Sequence, residues 1–197
     1  MKPDNIIPIN LDKPIRADAA RNRRLLLDTA ANLFAEQGIE AVTMSAIAKE
    51  ASVGKGTLYR HFTDKVAICH AMLDEDMREF QHATLTTLRN CEDVSVCLSW
   101  FLEQAAHYVI DHSDLLLEVA NQGGVDMLSH PAHIWWRQTI IGLLGRLDLN
   151  SDISYLADMF YVMLDVQTIR FQRQVQGYDI ERVVQGLHTL LAQVIGK

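Results

Sequence analysis

Between Thr43 and Lys65 the chain carries a dense set of hydrogen-bond donors: Thr43, Lys55, Thr57, Tyr59, His61 and Lys65, with Gly56 among them. Hydroxyls, ammonium groups and an imidazole at this density suit phosphate oxygens, which accept and never donate at neutral pH. Thr43 stands at a helix start and can offer a phosphate both its hydroxyl and a backbone N–H. Tyr59, His61 and Lys65 can donate to others. Lys55, Gly56 and Thr57 open a second short helix. There, a lysine reaches guanine O6 or N7, a threonine methyl meets thymine, and a glycine lets the backbone come close. Further upstream, Arg16 stands with Arg21, Arg23 and Arg24 in a basic cluster from which it can reach a phosphate or a minor groove.

A second constellation lies in the C-terminal two-thirds. Trp100, Phe101, Tyr108, Trp135, Trp136, Phe160, Tyr161 and Phe171 are interleaved with Glu103, Glu118, Asp158 and Asp165. Aromatic faces with an occasional carboxylate suit an amphipathic or cationic small molecule. From this set Trp100, Phe101, Tyr108, Glu118, Trp135, Phe160, Tyr161 and Asp165 are the candidate ligand-binding residues. The competing reading is an aromatic core with outward-facing acids.

Other chemistries fail on spacing. Gly54-Lys55-Gly56-Thr57 superficially suggests a phosphate loop, but the glycine such a loop needs five residues earlier is Lys49. His130 and His133, or His107 and His112, lack the partners of a zinc motif, and Cys69, Cys91 and Cys97 have no metal-type spacing, so no metal or other cofactor is expected. The three cysteines read as reduced, partly buried thiols. No Gly-x-Ser-x-Gly elbow is present, and no catalytic residue is assigned.

The elements that must position these residues are helices. Thr43 can cap a short helix in which Met44, Ile47, Ala48 and Ala51 share one apolar face. Ser52, Val53 and Gly54 break it after about two turns. A second short helix follows, with Leu58 and Phe62 four apart on its buried side. Two short helices joined by such a turn make a helix-turn-helix, here at residues 43–62. Before it, residues 18–37 form a helix capped by Asp18 and ended by Gly38, with Leu26, Ala30, Leu33 and Phe34 as a stripe to cover the pair. Residues 1–17, with Pro3, Pro8 and Pro14, read as a mobile arm. A long helix begins at Thr63 or Asp64 and runs to about Asn90, carrying an acidic group of Asp74, Glu75, Asp76 and Glu79. Further helices are expected near 93–112, 113–121, 130–147, 152–176 and 179–195, with breaks at Gly123-Gly124, Leu149-Asn150-Ser151 and Gly177. No strand pattern competes, so the fold class is all-α. The domains read as an arm (1–17), a three-helix head (18–75) joined by the long helix to a helical body (76–197).

Charge supports that division. The net charge of −7 alone argues against nucleic acid, but residues 1–65 hold 10 Lys and Arg against 8 Asp and Glu, whereas residues 66–197 hold 8 against 17. A mildly basic head on an acidic body fits an anion partner confined to one end. No apolar run is long enough to span a bilayer, and Met1 to Asp12 lacks the form of a secretory leader, so a cytoplasmic protein with no membrane partner is expected.

The run Gly56-Thr57-Leu58-Tyr59-Arg60-His61-Phe62-Thr63-Asp64-Lys65, with Leu33-Phe34-Ala35-Glu36-Gln37-Gly38 before it, resembles the DNA-binding motif of TetR-type transcriptional regulators over residues 19 to 75. Two positions depart from the family pattern. Ser52 stands where Gly is usual, which asks a non-glycine residue for a positive φ, and Gly54 stands where Ser is usual. The resemblance implies a homodimer through the last two helices (152–176 and 179–195). It implies double-stranded DNA with a palindromic operator as partner, and an inducer of unknown identity bound among the middle helices. It also implies repression relieved when that inducer binds. Symmetry supplies a physical reason for two copies, since two recognition helices about 34 Å apart can read a palindrome. The rival readings are an activator or ligand-independent DNA-binding protein, and a helical enzyme or protein-interaction module whose head no longer binds DNA.

Overall fold

A computed structural model describes residues 12–123 and 131–196, without the side chains of residues 12–17, 122, 123 and 131. Among the described residues every regular element is a helix: α1 (Asp12–Gln37), α2 (Met44–Glu50), α3 (Lys55–His61), α4 (Lys65–Arg89), α5 (Val94–Asp111), α6 (Ser113–Gly123), α7 (Pro131–Leu144), α8 (Ile153–Met163), α9 (Val166–Gln174) and α10 (Ile180–Val194). The chain divides into two compact units, Met1–Ile68 and Cys69–Lys197, with the change falling inside α4.

In the first unit the stripe on α1 does what its spacing implies. Leu26 and Ala30 are fully buried, and Leu33 and Phe34 nearly so, together with Ile47 and Ala48 of α2, Leu58 of α3, and Phe62 and Ile68. Each large side chain so buried contributes about 1.5–3 kcal/mol, which is how helices of seven residues persist. Gly38 ends α1 at φ +80°, and its N–H reaches the Phe34 carbonyl at 2.9 Å. The start of α1 differs from expectation. It lies at Asp12, not residue 18, so residues 12–17 are helical and not part of an arm. Pro14 falls in the first turn, where a missing N–H costs no helical bond. Asp18 is therefore no cap and instead pairs with Arg21 at 3.1 Å on an exposed face.

The second unit is built around α5. Its residues Cys97, Leu98, Phe101, Leu102, Ala105, Ala106, Tyr108 and Val109 are buried, and it packs against α6, α7, α9 and α10. α7 lies against α8. α10 turns Val183, Leu187 and Leu191 inward at four-residue spacing.

Two expectations are corrected here. Residues 152–176 are two helices, because Asp165 is an N-cap: one of its carboxylate oxygens accepts the backbone N–H of Gln167 and of Thr168, both at 3.0 Å. No Gly or Pro interrupts residues 152–176, so nothing in the sequence marked the break. The cysteines are not all reduced thiols either. Cys91, in the link before α5, and Cys97, in the first turns of α5, form a disulfide, with Cα atoms 6.1 Å apart. The link folds back onto the Asp93 cap, which brings together two residues that sequence spacing alone leaves apart. Cys69 is buried. No described helix is long and apolar enough to cross a membrane.

Candidate nucleic-acid interface and cavity

Thr43 and the donors of α3 are placed by local rules. Thr43 caps α2 from extended backbone, its Oγ1 accepting the Ala46 N–H at 3.1 Å, and a hydroxyl that accepts can still donate outward. α3 is held by Leu58, which is fully buried, and by Phe62. On a helix so anchored, Lys55, Gly56, Tyr59 and Arg60 are exposed and Thr57 is half-exposed. Tyr59 keeps half of its surface in solvent despite its size. At Gly56 no atom outside its own helix lies within 4 Å of where a Cβ would stand, so the backbone there is open to a close approach.

The two departures from the family pattern are absorbed. Ser52 takes φ +54°, the single non-glycine positive φ among the described residues, and Gly54 starts α3 from φ −67°, ψ 143° without a side-chain cap. The turn is therefore made, at the cost of a left-handed serine.

Two of the expected phosphate donors also have a place within the head itself. The Lys65 ammonium donates to the Ile39 carbonyl at 2.7 Å, tying the start of α4 to the loop after Gly38. That partner is 26 residues away and carries no sequence signal. His61 is half-buried and its Nε2 is enclosed without a hydrogen-bond partner. Burial first, then the charges of Arg60 and Arg23, holds its pKa below the usual histidine value. A neutral imidazole donates from one nitrogen only, so His61 brings shape more than charge. Arg23 sits over the Phe62 ring, 5.2 Å from its centroid. The Arg16 side chain lies outside the described residues. Arg60 is exposed on the same short helix as Tyr59, a position left without a role by the motif alone.

The second unit contains a cavity of about 740 Å³, its open mouth included, walled by α4, α5, α6, α7, α8 and the start of α9. Of the expected ligand residues, Tyr108, Tyr161 and Asp165 line it. Phe101 and Phe160 are buried core, Trp100, Trp135 and Glu118 are half-buried, and none of these five lines the cavity. Phe101 and Trp135 belong instead to a cluster centred on Phe80, whose ring lies 5.6 Å from theirs and 5.9 Å from those of Tyr108 and Trp136. Trp135 is thereby taken up in packing, while Trp136, one residue on and about 100° round the helix, faces the cavity. Its indole N–H points at the Met77 sulfur, 3.3 Å away. Residues that the sequence reading missed complete the wall: His70, Leu73, Asp74 and Met77 on α4, and His133 on α7. A four-residue rhythm along α4 carried that signal, obscured by reading its acids as a solvated face. Tyr108 donates to the Leu73 carbonyl at 3.0 Å, and the Tyr161 hydroxyl is hydrogen-bonded to His133 Nδ1. Both phenols are pushed well above their ordinary pKa, by burial first and then by Asp76 and Asp74 for Tyr108 and by Asp165 for Tyr161. Among the described residues no group of three or more metal-ligating side chains is gathered. His130 lies outside them.

The model of the bacterial regulatory proteins of the tetR family matches residues 26–72. An HTH-type transcriptional regulator of Staphylococcus aureus (strain USA300) is 36% identical over 190 residues, covering 93% of this chain and 99% of its own. Among solved structures, the Thermus thermophilus TetR-family repressor FadR in complex with lauroyl-CoA superposes with TM-score 0.67 at 18% identity, covering 86% of this chain and 92% of its own. A transcriptional regulator from Saccharomonospora viridis in complex with choline does so with TM-score 0.67 at 20% identity, covering 87% and 96%. A relative that similar along nearly the whole chain, together with a helix-turn-helix whose exposed face carries Lys55, Tyr59 and Arg60, places this protein in the TetR family of DNA-binding transcriptional regulators.

Proposed function

We propose that this protein is a cytoplasmic, homodimeric repressor that leaves a palindromic operator when a small molecule occupies the α4–α9 cavity. The observation that carries the reading is the course of α4. It starts at Lys65, whose ammonium braces the head through Ile39, and four of its later residues, His70, Leu73, Asp74 and Met77, wall the cavity. A ligand that favours one position of those residues shifts the position of the helix start as well. In a dimer this alters the separation of two recognition helices that must meet successive major grooves about 34 Å apart. Coupling between two sites in this manner is typically worth ~1–3 kcal/mol.

The dimer has its own support. α8 exposes Tyr155, Met159 and Val162, spaced four and three apart on one face, and Tyr155 leaves 64% of its surface in solvent. α10 exposes Leu190, and next to it on the same face Gly186, where no atom outside its helix lies within 4 Å of a notional Cβ. Apolar stripes of this kind are stable when a second copy covers them.

In the head, Thr43, Tyr59 and Lys65 hold phosphates, with Arg16 and His61 beside them, and Lys55, Gly56 and Thr57 face base edges. The test is a mobility-shift titration with DNA from upstream of the protein's own gene, run beside sedimentation of the free protein. The expected result is one retarded complex containing two protomers. A strict monomer at micromolar concentration, or equal affinity for any duplex, would sink the proposal.

A further inference from the structure

The fold leaves the ligand's charge open, since one structural neighbour was solved with lauroyl-CoA, which is anionic, and another with choline, which is a cation. The cavity wall is more selective. Among the described residues it contains no lysine and no arginine, and its two carboxyl side chains are Asp74 on α4 and Asp165 at the start of α9. Asp165 spends one oxygen, Oδ2, on the α9 cap, where it receives the Gln167 and Thr168 amides and the Thr168 hydroxyl. Among the described residues its Oδ1 receives no hydrogen bond, and the half-buried Asp74 has no hydrogen-bond or ion-pair partner. The remaining wall offers aromatic faces at Tyr108, Trp136 and Tyr161 and aliphatic surface on α5, α6 and α9. The Tyr108 and Tyr161 hydroxyls already donate or share their hydrogens within the wall, to the Leu73 carbonyl and with His133.

A carboxylate or phosphate ligand would meet two acids here with no permanent cation to receive it, at a cost that rises as water is excluded. An ammonium would meet two carboxylates and three electron-rich rings, each of which attracts it. We infer that the cavity takes an organic monocation with an apolar tail, its charged head held between Asp74 and Asp165 and its tail along the aliphatic side. This rests on the cavity being the ligand site, as proposed above.

The experiment compares three probes that share a decyl chain and differ in head charge: decyltrimethylammonium, decanol and decanoate. Each is titrated below its micelle concentration into the full-length protein at pH 8, where imidazoles of ordinary pKa are neutral. Calorimetry gives affinity, and fluorescence anisotropy with DNA selected by this protein gives release. The expected order is the cation at least about tenfold tighter than decanol, with decanoate weakest. D74N and D165N should each weaken the cation several-fold and leave decanol unchanged, and Asn can still cap α9. Decanol or decanoate binding as tightly as the cation, no binding by any probe, or equal losses for all probes in the Asp variants would overturn the inference. Release of DNA by decanoate would overturn the cation assignment and leave the ligand-released regulator standing. Tight, Asp-dependent cation binding that never releases DNA would uphold the cavity's chemistry and defeat the repressor mechanism.

Discussion

The two units of this chain solve opposite problems with the same helices. The head has a small core, centred on Leu26, Ile47, Leu58 and Ile68, and turns its charge outward: Lys55 and Arg60 are exposed on a helix of seven residues. The body keeps two acids on the wall of an internal cavity and turns apolar side chains outward on α8. A head that meets a solvated polyanion gains from keeping its donors wet until contact, when counterions are released. The proposed roles of the body, to take one small molecule and to face its own copy, call for the reverse arrangement. A single net charge of −7 conceals both.

The comparison is broken most severely through the head's core. Leu58→Ala removes a fully buried side chain from α3 and is expected to cost about 2–5 kcal/mol. If the units differ as described, DNA binding is lost while most of the helical circular dichroism, which the body dominates, survives. Simultaneous collapse of all helicity would show that the head is no separate unit. Next comes the outward face of the body. Met159→Glu together with Gly186→Arg should halve the mass seen in sedimentation and reduce operator affinity by about a hundredfold or more, with each protomer still folded. An unchanged dimer would move the interface elsewhere.

Two changes on α3 sharpen the picture. Lys55→Ala should cost about 1–3 kcal/mol at its own base pair and loosen sequence preference, whereas Tyr59→Ala should weaken all duplexes alike. Selection from random DNA that returns the same consensus for the Lys55 variant would remove it as a base reader. A smaller effect is expected at the strained turn. Ser52→Gly relieves φ +54° and should stabilise the head by about 1 kcal/mol, read as a raised melting temperature. The smallest is the pH response of His61. Its folded pKa lies below the unfolded value, so the unfolded chain takes up the proton first. Stability is then complete above about pH 6.5 and declines as pH falls below it, and His61→Gln should flatten that decline in thermal melts.

The head was legible because its information is local. Thr43, Gly38, Leu58 and Phe62 act within a turn or two of their own positions, and the left-handed Ser52 follows from the family pattern at that turn. The exceptions there are instructive. Lys65 is held by a carbonyl 26 residues away, and the enclosure of His61 Nε2 depends on neighbouring elements. In the body, spacing found the helices and missed how they share work. Asp165 looked like one more acid within a long helix and proved to be the cap that divides it, while still lining the cavity. Trp135 and Trp136 are adjacent in sequence and both pack on Phe80, yet only Trp136 also lines the cavity, which the rotation of α7 decides.

The order of residues by itself determined an all-helical chain with a helix-turn-helix at 43–62 and a basic head ahead of an acidic body, because caps, breaks and apolar periods act over a few residues. Tertiary structure alone decided that Cys91 meets Cys97, that α4 contributes Asp74 and Met77 to a cavity, and which aromatics line that cavity. The disulfide depends on the turn of the link before α5, and the other two outcomes on how distant helices are rotated against one another: a repeat of 3.6 residues specifies which side of a helix is apolar without specifying what that side will touch.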